Sequence, residues 1–244
     1  MKFWIGTSGY VYWHWRKLFY PEELPSYKWF DYYVKHFNTV EINMSFYRWP
    51  KESTVKGWLN KAKKIEQESG KRFIYTLKAN QLITHIKKLV NVERLVRDFY
   101  KLADLLSHYL GCILFQLPPS LHFDKQRLKQ FLACLDKSYK NVIEFRHPSW
   151  WNESTYELMQ DKAIFSIVSA PRLPEDFVKT ADIIYIRFHG KKQWYGSNYS
   201  DAELKEWAKK IKKAKAKEVY CYFNNDFNAY AVHNALTLKK LLEK

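Results

Sequence analysis

Ile183-Ile184-Tyr185-Ile186-Arg187-Phe188-His189 is the stretch on which the reading of this chain turns. Side chains two apart on a strand share a face, so Tyr185, Arg187 and His189 align opposite Ile184, Ile186 and Phe188. The run ends in polar residues, and a helical segment follows in which Ser200 and Glu203 form a capping box ahead of Leu204, Trp207 and Ile211. Apolar, β-branched or aromatic runs of the same kind occupy 2–8, 39–43, 72–78, 111–116, 141–146, 163–169, 183–189 and 218–224. Strands alternating with helical segments over about 250 residues predict an α/β chain folded as a single (β/α)8 TIM-type barrel spanning 1–244.

The helical segments fit this frame. Asp124 precedes Leu128, Phe131 and Leu132, Ser53 precedes Val55, Trp58 and Ala62, and 228–242 carries Ala231, Val232, Ala235 and Leu242 on one stripe. The sixth unit is the weakest, with only 175–180 available for a short or distorted helix. Cys112, Cys134 and Cys221 lack paired or metal-like spacing and read as reduced thiols. Strand one begins directly after Met1, and no apolar run approaches the roughly 20 residues of a membrane span, so a cytoplasmic protein without membrane contact is expected.

Barrel sites are assembled from the C-terminal ends of the strands. Alternation places Glu41 with Asn43, Thr76 with Lys78, Glu144 with Arg146, and Tyr222 with Asn224, and Gln116 closes the fourth run. Inner barrel layers are normally filled by Val, Ile and Leu, so this many polar groups mark either a site or an internal salt network in which Glu41 and Glu144 neutralise Lys78, Arg146 and Arg187. The formal charge of +16 points to anionic partners. Lys209, Lys210, Lys212 and Lys213, in contrast, read as the solvated side of one helix.

Gly6-Thr7-Ser8-Gly9-Tyr10, His36-Phe37-Asn38-Thr39-Val40-Glu41-Ile42-Asn43, Ile83-Thr84-His85, Phe115-Gln116-Leu117-Pro118-Pro119, Glu144-Phe145-Arg146-His147-Pro148-Ser149-Trp150, Arg187-Phe188-His189-Gly190 and Tyr222-Phe223-Asn224-Asn225-Asp226 resemble, in order along the whole chain, the YecE-like family, domain of unknown function family 72. The resemblance implies a TIM-type barrel and no particular reaction. Against the family's pattern, Tyr10 stands where tryptophan is expected, Met44 where a small hydroxyl residue is, Ser169 near an expected aspartate, and Ala229 in place of glycine.

Several chemistries compete for these residues. Metal-assisted phosphodiester hydrolysis could draw on Glu41, His85, Glu144, His147, His189 and Asp226, but Arg146 and Arg187 would repel a cation held among them. Glycoside chemistry needs two carboxylates across a bond, and cations beside Glu41 and Glu144 would depress the pKa that a general acid needs raised. A non-catalytic nucleic-acid-binding module is the alternative without a reaction. The favoured expectation is an anionic, phosphate-bearing ligand, a nucleotide or single-stranded nucleic acid, held at the C-terminal mouth. Lys78, Arg146 and Arg187 would cradle it; Tyr10, Asn43, His85, Gln116, Trp150, Asn224, Asn225 and Asp226 would complete the binding set. Glu41, Glu144, His147 and His189 are the catalytic candidates. No organic cofactor motif is present, and the sequence decides neither metal dependence nor oligomeric state.

Overall fold

The structure, a computed structural model, describes residues 1–243. Each expected run contains a strand: β1 (Lys2–Thr7), β2 (Thr39–Ile42), β3 (Ile74–Lys78), β4 (Leu110–Gln116), β5 (Asn141–Glu144), β6 (Ile164–Ser169), β7 (Ile183–Phe188) and β8 (Glu218–Phe223). They form one eight-stranded sheet in the order β1-β8-β7-β6-β5-β4-β3-β2, the strand arrangement of a (β/α)8 TIM-type fold. The helices are α1 (Trp29–Tyr33), α2 (Met44–Tyr47), α3 (Glu52–Ser69), α4 (Glu93–Ala103), α5 (Lys125–Ala133), α6 (Glu153–Met159), α7 (Asp201–Lys213) and α8 (Tyr230–Glu243). None of them crosses a membrane by length and apolarity together.

Local signals act largely as expected. Ser200 and Glu203 form the reciprocal capping box of α7, and the Asp124 side chain accepts the Arg127 N–H at the head of α5. α3 starts one residue ahead of Ser53, after Lys51, with no side-chain cap. The helix expected at 175–180 does not form. Pro171 and Pro174 leave too short a stretch to nucleate one, and Thr180 instead joins the start of β6, its hydroxyl donating to the Ala163 carbonyl (2.7 Å) and accepting the Phe165 N–H (2.9 Å).

Internal contacts divide the chain into two compact units. The first comprises Met1–Glu41, Ile167–Phe177 and Asp182–Lys244, and the second Ile42–Ser166 and Val178–Ala181. In the first, β7, β8 and β1 run in register, with Arg187 beside Tyr222 and Tyr222 beside Gly6. On the other side of β1, side chains stand in for most of a ladder with the segment that ends in Glu41. The Asn38 amide donates to Phe3 O (3.0 Å) and accepts from Ile5 N (3.3 Å). Tyr33 donates to Thr39 O (3.1 Å) and accepts from Thr7 N (2.9 Å). Ser8 and Glu41 form a backbone bridge, with Gly9 N–H on Glu41 O at 2.8 Å. Gly6 makes this approach feasible, because a Cβ there would collide with the Thr39 carbonyl and lie 2.9 Å from the Tyr33 hydroxyl.

In the second unit β3, β4 and β5 pair in parallel, and β5 continues to β6 through Val142–Ile164 and Ile143–Phe165. Ser45 at the start of α2 ties the end of β3 in place, its hydroxyl donating to Lys78 O (2.7 Å) while the Asn80 amide donates to Ser45 O (3.0 Å). Asn80 then accepts the Leu82 N–H and opens a π-helical turn, Leu82–Ile86, that carries His85. Such turns are rare and recur at functional sites.

Burial pushes the Tyr33 hydroxyl far up in pKa, so it remains a donor at all ordinary pH values. Tyr33→Phe leaves the Thr7 N–H and the Thr39 carbonyl unpaired and buried, and is expected to lower stability by about 2–3 kcal/mol. Urea unfolding checks this; an unchanged midpoint would show that Tyr33 does not hold the β1 seam.

Candidate functional site

Strand alternation turns Glu41, Tyr185 and Arg187 toward one another within the first unit. Glu41 has no exposed surface, and Arg187 is 1% exposed. The carboxylate accepts from the Ser8 hydroxyl, from Tyr185 (2.5 Å) and from Arg187 Nη2 (2.6 Å), and the same guanidinium nitrogen reaches Ser8 Oγ at 3.0 Å. Three hydrogen bonds and the charge of Arg187 offset part of the cost of burying this carboxyl group away from water. Tyr185 is held by the rings of Tyr220 and Tyr222, and Tyr222 bonds Thr39 Oγ1 at 2.7 Å.

His189, also buried, caps β7. Its N–H lies on Ser169 O (2.8 Å), and its carbonyl accepts from Tyr195 N (2.6 Å). The Asn224 amide nitrogen, a donor, sits 3.2 Å from His189 Nδ1. Asp226 follows β8, and its carbonyl accepts from Trp15 Nε1 and lies 2.9 Å from His14 Nε2. Its carboxylate is 3.3 Å from the same imidazole nitrogen, and burial raises its pKa. Beside it, Asn228 (φ 50) and Ala229 (φ 56) are left-handed. Ala229 therefore occupies a conformation natural to the glycine that the family pattern leads one to expect there.

In the second unit the ends of β3 and β5 carry a different group. Glu144 is fully buried and paired with Arg146 Nε, and the Arg146 side chain is 9% exposed. Lys78 Nζ lies 4.0 Å from the centre of the Phe46 ring, and the His85 ring meets Phe46 edge-on at 4.8 Å. Burial first, then the charges of Lys78 and Arg146, lower the His85 pKa to about 4, with Glu144 opposing. His85 Nδ1 bonds Thr84 Oγ1 at 2.9 Å. The Gln116 amide donates to Leu117 O (2.9 Å), and Asn43 stands half-buried at the head of α2.

Other expected site residues have mainly structural partners. Trp150, expected to stack on a ligand, is fully buried between Phe145 and Phe123 with its indole N–H on Leu121 O (2.7 Å). Its ring is thus part of the core. Tyr10 packs on Phe30 and Tyr33. Asn225 is buried and donates to Ser197 O and Asn234 Oδ1. His147 stacks on His122, ring centres 3.7 Å apart, and accepts from Ser149 N. Among the described residues no group of three or more His, Cys, Asp or Glu side chains is arranged to hold a metal ion. Sequence reasoning missed His14 and Gln193, which come together with Asp226 only through the fold.

Removing one member of the buried pair leaves the other charge uncompensated. Arg187→Met and Glu41→Met are each expected to cost about 3–5 kcal/mol, and the double variant to recover most of that loss. Denaturant midpoints of the three variants test the coupling; additive losses would refute it.

The sequence pattern of the family described as "Protein of unknown function DUF72" matches residues 4–244. The UPF0759 protein YunF of Bacillus subtilis (strain 168) is 26% identical over 98% of this chain and 94% of its own length. The UPF0759 protein YecE of Escherichia coli (strain K12) is 27% identical over 51% of this chain and 44% of its own. A crystal structure of a DUF72 family protein from Thermotoga maritima MSB8 superposes with a TM-score of 0.87 at 28% identity, covering 100% of both chains. Another, from Enterococcus faecalis V583, gives 0.77 at 20% identity over 99% of this chain and 96% of that one, a likeness of fold. With its eight parallel strands and the match running from residue 4 to the C-terminus, the chain belongs to the DUF72 family.

Proposed function

We propose that the ends of β3 and β5 bind a phosphate-bearing ligand. The observation that carries this reading is the cluster itself: Arg146 paired with Glu144, Lys78 over the Phe46 ring and His85 against the edge of that ring, with the charges of Lys78 and Arg146 both lowering the His85 pKa. Two cations against one carboxylate attract an anion, and the guanidinium of Arg146 suits phosphate oxygens. At neutral pH the imidazole is uncharged, so it can exchange a hydrogen bond with the ligand without adding to the local charge. Gln116 and Asn43, at the ends of β4 and β2, are of the type that reads neutral donors and acceptors. Nucleotides and short single strands share the phosphate chemistry. Their binding differs in salt dependence, because a strand releases counterions with a log–log slope near −0.7 per phosphate neutralised.

The lowered pKa of His85 also sets a sign for stability. Between the ordinary imidazole value and about 4 the unfolded chain takes up a proton that the folded chain does not. The contribution of this group is therefore complete above the ordinary value and is lost as pH falls through that window. A bound phosphate anion opposes the field of Lys78 and Arg146, so inorganic phosphate or a nucleoside monophosphate is expected to move the His85 midpoint, followed by its ring resonances, upward from about 4. Arg146→Gln should weaken phosphate binding by roughly tenfold or more, as loss of a charged hydrogen bond does. A His85 midpoint indifferent to phosphate would refute the reading.

A further inference from the structure

A cleft of about 540 Å3 lies between the loops that follow β7 and β8, lined by His14, Gln193, Trp194, Tyr195, Asp226 and Phe227 among others. Its volume falls within the range of small-molecule sites, roughly 300–1,000 Å3. Two features narrow the ligand class. Three of these side chains are aromatic, and Tyr195 and Phe227 are 43% and 57% exposed, so apolar rings face the open cleft. Among the described residues that line it there is no lysine or arginine, in a chain whose net charge is +16. An anionic group has no counter-charge here, whereas a flat, uncharged ring has surfaces to stack on.

The walls are also preset. The Phe227 N–H donates to Tyr195 O (3.3 Å), which ties one loop to the other, and Tyr195 N–H is anchored on His189 O (2.6 Å). Tyr195 (φ 63) and Asn228 (φ 50) are held left-handed, a strain that recurs where loops are shaped for a ligand. At one edge Trp15 Nε1 and His14 Nε2 converge on the Asp226 carbonyl, both at 2.9 Å, so the polar groups of His14 and Asp226 keep a fixed position.

We infer that this cleft binds a planar heteroaromatic ring of the nucleobase type, stacked on its aromatic walls and read at its edge by His14, Asp226 and Gln193. The inference stands apart from the anion site at β3 and β5, because a nucleoside carries no phosphate.

The test is calorimetric titration of the intact protein with adenosine, guanosine, cytidine and uridine, with ribose as the control for stacking of a sugar. At least one nucleoside is expected to bind and ribose is not. Phe227→Ala and Trp194→Ala should each weaken that binding by about tenfold, the usual scale for loss of one base-stacking ring. Phe227 is exposed enough for its variant to keep its unfolding midpoint, and Tyr27→Ala, which removes a ring 76% exposed and outside the cleft lining, should leave binding unchanged. Failure of all four nucleosides to bind, equal binding of ribose, or full affinity in Phe227→Ala would each overturn the inference.

Discussion

A carboxylate with no exposed surface is the constraint around which the first unit is arranged. Glu41 cannot be hydrated, so it holds Ser8, Tyr185 and Arg187 on its two oxygens. A buried ion pair of this kind adds little net stability over apolar packing, since the desolvation of both charges offsets most of their attraction. What it does define is geometry. It turns the polar face of β7 toward the end of β2 and binds both to Ser8, the residue that follows β1 and bridges to Glu41 through the backbone. Asn38 and Tyr33 complete that seam with side-chain atoms, so a strand contact that is ordinarily a property of the backbone depends here on two particular residues.

The second unit treats its charges differently. Glu144 is paired with Arg146, Lys78 rests on the face of Phe46, and the His85 ring meets Phe46 edge-on. The balance is positive, and His85 is only partly buried. A balanced, fully enclosed pair suits a structural role, whereas an unbalanced cluster near solvent retains the capacity to attract a ligand. Some of the left-handed backbone lies nearby: Lys88, Leu89 and Asn91 follow the π-turn of His85, and in the first unit Tyr195, Asn228 and Ala229 follow β7 and β8.

Much of this was legible in the chain itself. Period-two alternation in 183–189 is enough to put Tyr185 and Arg187 on one face, and the Ser200–Glu203 spacing is enough to start α7. The same local reading could not see that Trp150 is buried against Phe145, because an indole in a strand-to-helix connection looks the same in sequence whether it faces solvent or the core. It also expected a helix over 175–180, where Thr180 pairs with the start of β6 instead.

The sequence by itself determined the strands, their polar faces and the charged character of their ends, since those follow from neighbours two to four residues apart. Only the tertiary structure decided which charges meet, that Tyr33 and Asn38 stand in for a ladder, and that His14 meets Asp226 across 212 positions of the chain. Such contacts leave no periodic trace, because each depends on the position of a single atom brought in from a distant segment.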